Sequence, residues 1–103
     1  MRWFLALAFL LPLAAAAQVP SPGVQRGVQY ARVHCANCHA IDKVSASPLP
    51  AAPPFRLLHK RYPVGTLEEA LGEGIVTGHP SMPQFRLEPD QINDFIAFLK
   101  SLE

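Results

Sequence analysis

The 103-residue chain has only two cysteines, Cys35 and Cys38, and this scarcity excludes a disulfide framework. One Cys-x-x-Cys bridge closes a tiny loop and removes little entropy from the unfolded state. A second Cys-x-x-Cys is missing too, and with it the usual four-ligand structural zinc arrangement. Charge of one sign is also lacking: the formal net charge is +1, which gives no long-range pull toward nucleic acid or an anionic membrane. There is no internal repeat, no convincing strand pattern, and no low-complexity tract beyond the alanines at 14–17. No apolar run reaches the about 20 residues that a membrane-spanning helix needs.

The nearest approach to such a run is at the start. A single positive charge at Arg2 precedes an apolar stretch from Trp3 to Leu13, interrupted by Pro12 and followed by Ala14–Ala17. A basic start, an apolar middle and an Ala-x-Ala-like end read as a secretory signal peptide, residues 1–17, cleaved after Ala17. The mature domain is then 18–103, exported and soluble in the periplasm. Without Arg2 it carries eight basic and eight acidic side chains. Arg56, Lys60 and Arg61 form one small basic group and Glu68, Glu69 and Glu73 an acidic one; both read first as solvated faces. So small a domain has little core of its own and needs a staple other than one short disulfide.

Four segments carry helical signals. Val24, Gly27, Val28 and Ala31 recur at i, i+3, i+4, i+7, with Tyr30 alongside, and predict a helix ending near the cysteines. Gly27 costs about 1 kcal/mol against alanine there, a cost that a close helix crossing explains. "FRLLHKRY" is a short candidate stopped by Pro63. "TLEEALGEGI" opens with Thr66 and Glu69 spaced as a capping box. "EPDQINDFIAFLKSLE" is the clearest helix, with Pro89 in its first turn, Asp90 and Asp94 toward its positive end, and Ile92, Phe95, Ile96, Phe98, Leu99 and Leu102 on its apolar side. Two long proline-punctuated loops, 45–54 and 76–87, separate these segments; loops of that length usually serve a function.

The chemistry concentrates in "HCANCHAID", residues 34–42. Cys35, Cys38 and His39 offer zinc three ligands at most, and a redox dithiol belongs beside a βαβ pattern that is absent. Cys-x-x-Cys-His is instead the attachment signature of c-type haem. Two residues, Ala36 and Asn37, set the thiols far enough apart to add across the two vinyl groups, and His39 follows as proximal iron ligand. Burial of the apolar macrocycle, at about 25 cal/mol per Å², supplies the missing staple.

A second iron ligand is an independent test of this reading. Met1 leaves with the leader, so Met82 is the remaining methionine. It stands in "GHPSMPQF" in a loop stiffened by Pro80 and Pro83, whereas a core-filling methionine normally sits on a helix face or strand. Met82 is read as the distal ligand. His79, three residues earlier, is the rival; His34, on the attachment helix, is expected to point elsewhere, and His59 lies on the short basic helix.

Taken together, "YARVHCANCHAID", "GHPSMPQF" and "LEPDQINDFIAFLKSLE" resemble a small bacterial class I c-type cytochrome over essentially all of the mature chain. The resemblance implies an all-α fold, about four short helices around one covalently bound haem c, in which Gly27 and Tyr30 of the first helix meet Phe95 and Phe98 of the last. It also implies that a backbone carbonyl, from Pro53 or Pro54, accepts the hydrogen bond of the proximal imidazole. Arg56, Tyr62 and Thr77 are candidates for the haem carboxylates. The implied activity is one-electron transport rather than enzymatic turnover, by a monomer passing electrons between redox partners such as a respiratory or periplasmic dehydrogenase, reductase or oxidase. Peroxidase-like or gas-binding chemistry is the alternative if Met82 is labile, and a dedicated subunit of a larger complex is a third.

Overall fold

The computed structural model describes residues 3, 5–11 and 19–103. The expected cleavage point after Ala17 lies outside the described residues. Trp3, Leu5, Leu7, Phe9, Leu10 and Leu11 are exposed and join no part of the core. Among the described residues the chain is helical without strands, and no helix is long and apolar enough to cross a membrane.

Helix α1 spans Pro22–His34. Ser21 caps it, its hydroxyl accepting the Val24 N–H at 3.3 Å, and Pro22 occupies the first turn, where a missing N–H costs nothing. A 3₁₀ segment follows at Phe55–Lys60. A second, Val64–Thr66, runs directly into α2, Leu67–Glu73. Helix α3, Pro89–Ser101, is closed at its start by a reciprocal cap: Glu88 accepts from the backbone of Gln91, and Gln91 Oε1 accepts the Glu88 N–H at 2.9 Å. The four helical segments expected from the sequence are therefore present.

Two details differ from the sequence reading. Thr66 does not cap α2: its hydroxyl donates to the Pro63 carbonyl at 2.6 Å, and its backbone is already helical. Helical backbone begins three residues earlier than the Thr66–Glu69 spacing indicates, at Val64, because Pro63 fixes the entry and supplies the acceptor. The reciprocal cap instead belongs to α3, formed by Glu88 and Gln91. Asp94 does more than face the helix dipole, since it accepts Arg26 Nε at 2.8 Å and Arg26 Nη2 at 3.1 Å across the α1–α3 contact. This pair holds the Asp94 carboxyl below its usual range, chiefly through the Arg26 hydrogen bond.

Helices α1 and α3 cross at close range. A Cβ on Gly27 would overlap the Asp94 carbonyl oxygen and lie 2.6 Å from the Phe98 Cβ. Absence of a side chain is what lets the two backbones meet, and this accounts for the costly glycine. Around the crossing lie Ala31, Ile92, Phe95, Phe98 and Leu99, all buried, with Phe55, Leu58, Val64, Leu71 and Leu87 extending the core toward the 3₁₀ segments and α2. Tyr30 meets Phe95 edge-on at 5.8 Å, and Phe95 meets Phe55 at the same distance. This aromatic row links the helix crossing to the cysteine turn.

Candidate functional site

The end of α1 becomes the cysteine turn without a break. Cys35 N–H still bonds to the Ala31 carbonyl at 2.8 Å, and the Cys35 carbonyl then accepts the His39 N–H at 2.9 Å. One helical turn therefore presents Cys35, Cys38 and His39 together. Both thiols are free and partly buried. Burial pushes the Cys35 thiol up to about 11, so it remains protonated at neutral pH.

The proline-rich loop folds back onto this turn. Leu49 N–H donates to the Cys38 carbonyl at 3.1 Å, Ala40 N–H to the Ser47 hydroxyl at 3.0 Å, and Phe55 N–H to the Ala40 carbonyl at 3.0 Å. Asp42 holds the outer bend by accepting from the Val44 and Ser45 amides and the Ser45 hydroxyl, which bring its carboxyl down to about 2. The loop's inward purpose is at Pro53, whose carbonyl lies 2.7 Å from His39 Nδ1. Proline contributes a carbonyl there without a competing N–H. Of the two prolines the sequence offered, Pro53 is the acceptor. With Nδ1–H donating to it, His39 keeps Nε2 free as an electron-pair donor. Phe55 packs 4.8 Å from the imidazole and fixes its tilt.

A separate segment supplies Met82. Ile75 N–H bonds to the Phe85 carbonyl at 3.0 Å, and Leu87 N–H to the Leu71 carbonyl at 2.9 Å, closing the base of a loop that runs from 76 to 84. Gly74, at φ 104°, makes the bend into it; a Cβ there would meet the Gln84 side chain at 2.6 Å. Within the loop Met82 N–H donates to the His79 carbonyl at 3.0 Å.

Cys35, Cys38, His39 and Met82 all line one cavity of about 300 Å³. Its remaining wall is largely apolar: Leu49, Ala52, Phe55, Leu58, Leu71, Ile75, Phe85, Leu87 and Phe95. The donor set and the lining both fit haem c. Two thiols one turn apart suit two vinyl groups, an imidazole nitrogen and a thioether sulfur suit iron, and the apolar wall suits the macrocycle. Among the described residues no group of three or more His, Cys, Asp or Glu side chains is placed to hold a metal ion.

Three placements were not read from the sequence. His34 lines the cavity rather than pointing elsewhere, its ring tilted against Tyr30 at 4.4 Å and edge-on to Phe85 at 5.7 Å. Arg61 also lines it, alongside Tyr62 and Thr77, whereas Arg56 does not and instead donates to the Ser45 carbonyl at 2.6 Å. His79 lines the cavity with Met82, while His59 lies outside it.

Neither the curated proteins nor the solved structures compared with this chain yield a match. The profile of the cytochrome c family matches residues 24–103, which include the Cys35–Cys38–His39 motif, the Met82 loop and both crossing helices; the chain belongs to that family, whose members bind haem c covalently.

Proposed function

We propose that the chain is an exported one-electron carrier, with its haem tethered by Cys35 and Cys38 and the iron held by His39 and Met82. The observation that carries this reading is the meeting of those four side chains on one apolar cavity, with His39 Nδ1 committed to Pro53. Haem c supplies an iron that gains and loses one electron.

The protein's own part is to orient and to exclude. The Pro53 carbonyl fixes the tautomer and direction of the His39 imidazole and raises its basicity. Pro80 and Pro83 restrict the backbone on either side of Met82. Thioether ligation by Met82 would favour the reduced iron and raise the potential, and the phenylalanine, leucine and isoleucine lining would keep water from the metal. With His39 and Met82 both given to the iron, no coordination site would be left for a substrate, which favours a carrier over turnover chemistry.

Location and partners follow from the charge balance and the leader. The mature chain, 18–103, is a periplasmic monomer that meets redox proteins through small, near-neutral contacts of the transient kind. Its partners are a respiratory or periplasmic dehydrogenase, reductase or oxidase.

An absorption spectrum of the oxidised holoprotein tests the ligand set. A far-red methionine-to-iron charge-transfer band is expected. Met82→Ala should abolish it and lower the midpoint potential by on the order of a tenth of a volt or more, within the roughly 0.8 V that axial ligands command. An unchanged band and potential would assign the position to another residue.

A further inference from the structure

His79 is left over by this account. It reaches the same cavity as Met82, yet a carrier of the proposed kind needs only one ligand from this loop. The two residues are ends of one β-turn, His79-Pro80-Ser81-Met82, closed by the Met82 N–H to His79 carbonyl bond at 3.0 Å. Pro80 occupies the second position of the turn, where its fixed φ favours the bend. Such a turn holds its first and last Cα atoms within about 7 Å, so both side chains serve one region of space.

Their restraints differ. Gly78, immediately before His79, has φ 76° and open space around its Cβ position. Among the described residues no hydrogen bond holds the His79 imidazole; only its backbone is engaged, the N–H weakly with Thr77 Oγ1 at 3.4 Å and the carbonyl with the Met82 N–H. His34, the other spare imidazole on the cavity, is packed against Tyr30 and Phe85 and carried on the last turn of α1. The open space and positive φ at Gly78 give the turn a pivot that lies outside the closed base at Ile75 and Phe85.

We infer that His79 is a reserve distal ligand: when the Met82 sulfur leaves the iron, the His79 imidazole takes the vacated position from the same turn. The inference rests on the assignment of Met82 as distal ligand. Imidazole suits the harder ferric ion better than a soft thioether does, so the exchange is most favourable in the oxidised protein. Loss of Met82 then closes the iron again at a lower potential instead of opening it to small molecules.

The test uses the oxidised holoprotein as Met82→Ala, His79→Ala/Met82→Ala and His34→Ala/Met82→Ala, with electron paramagnetic resonance and azide uptake as readouts. Met82→Ala is expected to lose the far-red band yet remain low-spin. Adding His79→Ala should convert it to high-spin and raise azide affinity at least tenfold; adding His34→Ala should do neither. A Met82→Ala protein that is already high-spin and takes azide as readily as the His79→Ala/Met82→Ala protein overturns the inference. So does a low-spin form that survives loss of His79. Persistence of the far-red band in Met82→Ala would instead show that the distal assignment itself had failed.

Discussion

At the scale of single residues, the side chains divide by how much of their role is local. Cys35, Cys38 and His39 announce themselves in five letters because one helical turn sets their spacing, and that turn is present. The place of Met82 on the cavity was legible because the chain offers so few thioethers. Pro53 was legible only as one of two, since adjacent carbonyls point in different directions and only folding decides which meets His39 Nδ1. Arg61 was not legible, because its place on the cavity depends on how the chain folds back after the 3₁₀ segment. Asp42 has a purely local role with a measurable consequence. Its carboxyl sits at about 2 against an ordinary 3.8, mainly through the Ser45 hydroxyl and amide. A lowered folded value means that its stabilising effect is complete above the ordinary value and is lost as pH falls through about 2. Asp42→Asn should therefore flatten acid unfolding, followed by circular dichroism, between about pH 4 and pH 2. An identical acid profile would show that the bend does not contribute.

At the scale of elements, the α1–α3 crossing is the feature that most depends on one position. Gly27→Val puts a branched side chain where even a Cβ overlaps the Asp94 carbonyl. Overpacking of this kind costs about 3 kcal/mol, which lowers the Tm of so small a domain by roughly 10 °C or more. Gly65→Ala is the control: nothing lies within 4 Å of its Cβ position, and the Tm should hold or rise slightly in thermal melts. A Gly27→Val protein that melts with the wild type would remove the crossing from the account. The helices were readable from apolar spacing because α1 and α3 each bury one stripe. The start of α2 was read correctly but its cap was not, because Thr66 and Glu69 match a capping pattern while the threonine hydroxyl turns back to the Pro63 carbonyl. Local pattern lost to local geometry three residues upstream.

At the scale of the whole molecule, the core and the haem cavity are not separate structures. Phe55, Leu58, Leu71, Leu87 and Phe95 belong to both. Holding the cofactor is thus part of holding the fold, as expected where an all-α chain of this size has no disulfide. The Cys35→Ser/Cys38→Ser protein should release its haem into acid–organic solvent and lose most of its cooperative thermal transition; haem retained through extraction would refute the thioether assignment. The proposed leader makes a separate prediction: if it is removed on export, the intact mass of the purified holoprotein should place the first residue at Gln18. A mass that still includes Met1 would exclude the proposed cleavage.

The cysteine turn has one more implication, for biogenesis. Most of what it bonds to is close behind it in the chain: Ser47, Leu49 and Phe55 through the loop, and Pro53 only fourteen residues beyond His39. A nascent polypeptide emerging N-terminus first can thus assemble the proximal bed from contiguous sequence while Met82 and α3 are still to arrive. The attachment machinery would meet a partly ordered substrate, and the late-arriving half would close over a porphyrin already in place.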